Sequence, residues 1–547
     1  MRRFSFLLFL LCSGLLSSCA KKSPLPKLVV LVSVDQMRAD YFERLGGEFT
    51  GGLGRLYREG VAYANADLNY ASSETGSGHA TLATGSYPNV HGIPANEWID
   101  PKTRKKVYCV GDSLAQPVEG EGSSHSPQNL AVTGFGDWLK NYSLDSKVVS
   151  VSAKDRTAIL MGGKQPDYAF WYDHNTGCMV TSNYYTQVLP QWVKDFNAAN
   201  WIAQHLPAAW EKLKGEETYS AHGPDEMAGE LKWGEDSSFP HSFLAERKKG
   251  DVLTSPYGDM LILDFAAAAI KHERLGQREV VDLLALGLSC TDYVGHAFGP
   301  DSHEMHDHLL RLDVALGKFL EDVENELGEG EVLVALSADH AVMPLPEYLT
   351  QARHENARRI LVKEELQPKI DALNQKLQQE LDSKEPIIFE NAFLNYKAAA
   401  KAGLDSLALE NRFRAEALKN DAVAEVYFRR ELLAQSPSGD SYIDDFRRSY
   451  YPKRGEDFQI RFCENCLIAW SPAGTTHGSP YRYDTHVPVI FFGAGIAPAK
   501  VEREIHTVDV APTLAKFLSY DYPERVNGAP LDEILKYKPA LPKKEEE

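Results

Sequence analysis

Three short apolar runs in this chain lead directly to an aspartate. Residues 28–34 end at Asp35, residues 280–289 stop just short of Asp292, and residues 331–337 stop just short of Asp339. Runs of this length, rich in Val and Leu, read as strands buried on both faces. Between them lie stretches with helical spacing, notably 255–276 and 311–327. Further strands are expected at 147–152 and 487–492. Strands that alternate with helices predict an α/β domain around a largely parallel sheet. In such sheets, ligands gather beyond the C-terminal ends of the strands. The aspartates therefore fall where an active site belongs.

Imidazoles accompany them. In chain order the set is Asp35, then Asp292 and His296, then Asp339 and His340, then His477. Asp292 and His296 stand at i and i+4, so one helical turn puts them on one face. Asp339 and His340 close a buried strand, and His477 sits in a loop of small residues, Gly474-Thr475-Thr476-His477-Gly478. Each piece alone is a common structural feature; the ordered set is far more specific. Three carboxylates and three imidazoles are enough for two tetrahedral zinc ions with open positions. Thr75 stands in Glu74-Thr75-Gly76-Ser77-Gly78-His79, at the expected start of a helix over 75–84. A hydroxyl in that place is a nucleophile for a metal to ionise. The combination points to phosphoryl transfer.

The ends of the chain have other business. Met1-Arg2-Arg3 and the apolar stretch 4–16 form an export signal too short to span a bilayer. It closes on Leu16-Ser17-Ser18-Cys19, a lipobox whose Cys19 becomes the lipidated first residue. The protein is thus expected in the periplasm or at the cell surface, tethered to a bacterial membrane by lipid. The expected organisation is a signal at 1–19 and a tether at 20–26. One catalytic domain follows at 27–537, with insertions at about 160–255 and 345–455, and a disordered tail at 538–547. A monomer is expected rather than an obligate oligomer. The net charge of −19 argues against nucleic acid as a partner. It does not exclude a phosphorylated small molecule, because metal ions dominate the local field.

Five cysteines lie outside the signal: Cys109, Cys178, Cys290, Cys463 and Cys466. The number is odd, so at least one is unpaired within the chain. Cys463 and Cys466 fit a local disulfide or two inert thiols better than half of a zinc site, which would need a second such pair. Cys290 reads as a buried thiol. His303, His306 and His308 read as a polar helix start rather than a metal tract. His79 and His91 read as packing residues near the nucleophile. The aromatics 170–172 and 184–185 suit a cleft wall and a core equally.

Taken together, Val34-Asp35-Gln36-Met37-Arg38, Gly92 to Trp98, Lys154-Asp155-Arg156, Thr291 to His296, Ser337 to His340 and Gly474 to His477 resemble the alkaline phosphatase superfamily, and within it the PafA-like bacterial alkaline phosphatases. The resemblance spans nearly all of the chain after the signal. Ala341, where the family has Gly, is a visible departure. The resemblance implies a three-layer α/β sandwich with cap insertions and two zinc ions per subunit. Asp35, Thr75, Asp339 and His340 would hold one ion, and Asp292, His296 and His477 the other. Thr75 would attack phosphorus and become phosphothreonine. Asn96, Lys154 and Arg156 would contact the phosphoryl oxygens of a small phosphomonoester.

A charge balance supports the substrate class independently. Two zinc ions neutralise three aspartates and an ionised threonine. Lys154 and Arg156 then leave two positive charges, which matches a monoester dianion rather than a diester monoanion. The rival enzyme readings are a phosphodiesterase or a phosphonate hydrolase on the same core. A sulfatase lacks its Cys/Ser-x-Pro-x-Arg motif here. The rival from another class is a non-catalytic surface lipoprotein that binds metal or phosphate.

Overall fold

The computed structural model of the protein describes residues 25–119, 124–221, 223–390, 392–434 and 439–536. The expected export signal with Cys19, most of the tether and the expected tail at 538–547 lie outside these residues. Among the described residues, no helix is long and apolar enough to cross a membrane.

The elements that position the site follow in chain order. They are Leu28–Val34 (β1), Val61–Asp67 (β2), Thr75–Thr84 (α1), Val148–Ser152 (β3), Asp155–Gly162 (α2), Tyr168–Asp173 (β4), Cys178–Ser182 (β5), Pro256–Glu273 (α3), Asp282–Leu288 (β6), Cys290–Phe298 (α4) and His303–Leu327 (α5). After them come Val332–Ser337 (β7), Gln367–Glu380 (α6), Val423–Phe428 (β8), Phe458–Phe462 (β9), His486–Gly493 (β10), Ala499–Val501 (β11) and Val510–Phe517 (α7).

The central sheet has eleven strands, ordered β11-β2-β10-β7-β1-β6-β3-β4-β5 and then the short strand Pro117–Val118, with Ile505–His506 also pairing to β2. Five neighbours, β7, β1, β6, β3 and β4, run parallel. β10 runs against both β7 and β2, and β5 runs against β4. An apolar run carries no sign of direction, which is why the strand at 487–492 was legible but its antiparallel sense was not.

Every residue of β1 is buried. Val30, Val32 and Val34 face one layer with Phe265 of α3 and Leu309 and Leu316 of α5. Val29 and Leu31 face the other, with Trp138 and with Leu514 and Phe517 of α7. This period-2 division fills both faces of the sheet and makes the three-layer sandwich. Each such side chain contributes about 1.5–3 kcal/mol by leaving water. The registers Val30↔Leu284 and Val30↔Val334 bring the C-terminal ends of β1, β6 and β7 level.

Two expectations need adjustment. α5 starts at His303, not at 311, with Ser302 Oγ accepting the Met305 N–H at 3.0 Å as its cap. Its first turns are polar yet buried, so apolar spacing did not reveal them. The stretch expected as an insertion from 160 includes β4 and β5, which extend the central sheet. Farther along, α6, β8 and β9 build a separate small core around Leu377, Phe413, Val426 and Phe458. Strand Arg358–Leu361 pairs with Cys466–Ala469, so this lobe is stitched to the loop that carries His477. Cys463 and Cys466 form a disulfide, and Cys109, Cys178 and Cys290 are free thiols.

Candidate active site

β1, β3, β6 and β7 each lead, at their C-terminal ends, to side chains of one site. β1 delivers Asp35, whose backbone N–H donates to Leu288 O of β6 at 2.9 Å. Gln36 then turns the chain away with φ of +68°. Its backbone N–H donates to Asp339 Oδ1 at 3.1 Å and its Nε2 to Asp292 Oδ1 at 2.7 Å. One residue thus ties the loops after β1, β6 and β7 together. Gly295 makes room for it, because a Cβ there would lie 1.7 Å from Gln36 Oε1.

Thr75 opens α1 and is buried. Gly78, one turn on, lets the helix approach Asp339, where a Cβ would come within 2.2 Å of the Asp339 carbonyl. Asn96 Oδ1 accepts the Gly76 N–H at 2.7 Å, and Glu74 Oε2 accepts the Asn96 N–H at 2.7 Å. With Oδ1 committed to the helix, the Nδ2 amino group is what Asn96 can offer a substrate. Arg156 Nη2 reaches Thr75 Oγ1 at 3.3 Å.

The imidazoles are oriented in one sense. His296 Nδ1 donates to Thr475 O at 2.7 Å, His477 Nδ1 to Ser73 O at 2.6 Å, and His340 Nδ1 to Ala341 O at 3.0 Å. A backbone acceptor on Nδ1 fixes the tautomer and aims the Nε2 lone pair the other way. That way lie the carboxylates. His296 Nε2 is 3.1 Å and His477 Nε2 3.6 Å from Asp292 Oδ1. His340 Nε2 is 3.3 Å from Asp339 Oδ2 and 3.6 Å from Asp35 Oδ1.

The electrostatics call for cations. Asp35 Oδ1, Asp339 Oδ2 and His340 Nε2 are buried without a hydrogen-bond partner although they face one another. Burial, then the neighbouring Asp35 carboxylate, pushes the Asp339 carboxyl well above its usual range. Burial holds His340 neutral, with its pKa down at about 3. Burial also holds the His477 pKa well below its usual range, while Asp292 raises that of His296 against burial. A neutral imidazole beside crowded carboxylates is what a divalent metal needs as a ligand. Lys154 Nζ lies 2.7 Å from Asp35 Oδ2 and 2.5 Å from Asp292 Oδ2. Burial works against its charge, but these two carboxylates keep the ammonium protonated.

The side chains singled out in the sequence as ligands or substrate contacts therefore meet here; the expected lipidation site, Cys19, lies outside the described residues. Asp292, His296 and His477 form one convergent group. Asp35 stands in two others, with Asp292 and His340 and with His79 and Asp339. His79 was expected only to pack. Its Nδ1 in fact donates to Thr75 O at 2.8 Å and lies 3.2 Å from Asp339 Oδ2. Burial brings its pKa to about 4, so it is neutral. Asp155 also went without a role in the sequence. Its carboxylate accepts the Tyr108 hydroxyl at 2.7 Å and the Arg156 N–H at 2.6 Å, and lies 2.8 Å from His125 Nδ1. Chain adjacency to Asp35 and Arg156 was the signal for Gln36 and Asp155. Nothing local marked Tyr108 or His125. The histidines of α5 take no part in the metal groups; His308 Nε2 meets Thr291 Oγ1 at 2.9 Å behind Asp292.

A parallel sheet that ends in carboxylate–imidazole clusters beside a buried threonine defines the α/β metallohydrolases that transfer phosphoryl groups. The chain matches the type I phosphodiesterase / nucleotide pyrophosphatase family over residues 29–456. It is 36% identical to alkaline phosphatase PafA of Elizabethkingia meningoseptica, over 96% of this chain and 98% of that one. It is 35% identical to alkaline phosphatase PhoV of Synechococcus elongatus, over 93% of each. The crystal structure of wild-type PafA superposes with a TM-score of 0.87 at 34% identity, covering 94% of this chain and 99% of that one. The protein belongs to the PafA-like alkaline phosphatases, within the type I phosphodiesterase / nucleotide pyrophosphatase family.

Proposed function

We propose that this protein hydrolyses phosphate monoesters with two zinc ions, through a phosphothreonine at Thr75. The hydrolase class and the monoester substrate follow from the family. The observation that carries the rest is the shared orientation of the three imidazoles, Nδ1 on backbone carbonyls and Nε2 on the aspartates. Asp35, Thr75, Asp339 and His340 would hold one ion, and Asp292, His296 and His477 the other. Bound zinc supplies Lewis acidity, which lowers the pKa of a hydroxyl and offsets charge on phosphoryl oxygens.

The chain's own groups do the rest. Thr75 Oγ1 forms a bond to phosphorus as the bond to the leaving oxygen breaks; water then hydrolyses the phosphothreonine and releases phosphate. Arg156, already at the Thr75 hydroxyl, offers its fork to the non-bridging oxygens. Asn96 Nδ2 offers a neutral donor. Lys154 offers a point charge that spans Asp35 and Asp292. An anchor through Cys19 would keep this chemistry at a membrane face outside the cytoplasm.

The test is a paired rate comparison on an aryl phosphomonoester and its methyl diester. A monoesterase favours the first by orders of magnitude in kcat/KM. Preference for the diester would move the assignment to a phosphodiesterase on the same core.

A further inference from the structure

A cavity of about 470 Å³ opens beside the nucleophile. Glu74, Ala95 and Gly478 line it, and these are the chain neighbours of Thr75, Asn96 and His477. A second cavity of about 180 Å³, lined by His477 itself, shares Phe446, Ile460 and Gly478 with the first. The cavity therefore lies against the side of the site where His477 stands. Thr75, Asn96, Lys154 and Arg156, the groups assigned to the phosphoryl unit, do not line it. The volume falls within the roughly 300–1,000 Å³ of sites for small organic ligands. What an ester has left to place there is its leaving group.

The walls are aromatic. Trp470 lines the mouth and is 74% exposed, a large indole held in water at the rim of the cleft. A flat ring laid against it would cover that surface. Trp98 and Tyr451 also line the cavity, and the Arg454 guanidinium lies 4.8 Å and 5.2 Å from their ring centroids. Charge narrows the choice. Three carboxylates, Glu74, Glu97 and Glu456, line the cavity beside the guanidinium of Arg454. Glu97 is paired with Lys106, and burial raises the pKa of Glu74 and brings that of Glu456 to about 7. Arg454 is already engaged, donating to Gly92 O and Asn129 O. Once Glu456 is ionised, above about pH 7, the lining carries more unpaired carboxylate than guanidinium, and the cleft is unfavourable to further negative charge.

We infer that this cleft is a leaving-group subsite that takes flat, uncharged rings and rejects leaving groups that carry an additional anion. The inference rests on the phosphomonoesterase reading and adds a substrate preference to it.

Phenyl phosphate, 3-carboxyphenyl phosphate and methyl phosphate separate the possibilities, since the two aryl leaving groups are similarly basic. At alkaline pH, where Glu456 is ionised, the wild-type enzyme should favour phenyl over carboxyphenyl phosphate by about tenfold or more in kcat/KM. Trp470→Ala should lower kcat/KM for phenyl phosphate about tenfold. Hydrolysis of methyl phosphate and inhibition by inorganic phosphate should not change, because neither reaches Trp470. Glu456→Gln should narrow the gap between the two aryl esters. Equal wild-type rates on the aryl pair, or an unchanged phenyl phosphate rate in Trp470→Ala, would overturn the subsite while the phosphatase assignment stands. Failure of the wild-type enzyme on all three esters would overturn the phosphomonoesterase reading and this inference with it.

Discussion

Arg156 Nη2 lies 3.3 Å from Thr75 Oγ1, so a cation carried after β3 touches the hydroxyl that opens α1. The contact brings the expected nucleophile and an expected phosphate ligand together before any substrate arrives. Pre-organised donors of this kind do not have to be rearranged as charge develops on phosphorus.

Lys154 and Arg156 should therefore matter in proportion to substrate charge. Donors aimed at developing charge are worth about 3 kcal/mol each, roughly a hundredfold in rate. Lys154→Ala combined with Arg156→Ala should cut monoester kcat/KM by roughly three orders of magnitude or more, allowing for non-additivity. Diester hydrolysis should change little, and inorganic phosphate should bind more weakly. Equal losses on monoester and diester would make these residues structural.

Thr75→Ala should keep the fold and most of the bound metal yet lose most turnover. Thr75→Ser keeps a hydroxyl in place and should retain a good part of it. Labelled substrate, quenched during turnover, should leave label on Thr75 wherever the phosphoester accumulates. Wild-type turnover in Thr75→Ala would point to water as the direct nucleophile.

Chelation should abolish activity, and zinc should restore it better than magnesium, because imidazole nitrogens suit zinc. Fully active protein without a bound transition metal would rule the two-zinc reading out.

How much of this could be read from the sequence depended on where the information sits. β1, β6 and β7 announced themselves, because strands buried on both faces must be apolar throughout. Asp35, Asp292 and Asp339 were legible because they follow those strands. Tyr108 and His125 were not, since their partner Asp155 is distant in sequence and no local pattern links them. The buried N-terminal turns of α5 escaped notice for a related reason: tertiary packing hides polar residues that spacing assigns to water. His79 packs in the helix as expected, but its contact with Asp339 could not be read from the sequence, since a packing histidine and one that touches an aspartate have the same letter and spacing.

Gln36 offers a sharper test of the site's supports. It holds Asp292 through its side chain and Asp339 through its backbone. Gln36→Ala should weaken zinc retention 10- to 100-fold, the usual loss when an outer partner of a metal ligand goes. Competition with a chelator measures it. Unchanged retention would show that Asp292 needs no such support.

Glu230 gives a pH signature in stability. Burial, and then Glu304, raises its pKa from 4.5 to about 8. Between those values the unfolded chain releases a proton that the folded protein keeps, so this group lowers stability as pH rises through that window. The slope is at most roughly 1.4 kcal/mol per pH unit. Glu230→Gln removes the effect. Its melting temperature should gain on wild type from pH 4.5 to 8 and then hold level. A difference that stays flat with pH would refute this.

The ligand groups draw on segments from Asp35 near the start to His477 near the end. Synthesis delivers the chain from its N-terminus, so the group of Asp292 and His296 waits for its third member until the last lobe is made. A chain that stops before His477 would lack β10 and β11 of the central sheet as well as the third member of that candidate group. On the two-zinc proposal, completion of both metal groups would therefore come only with the C-terminal part of the fold.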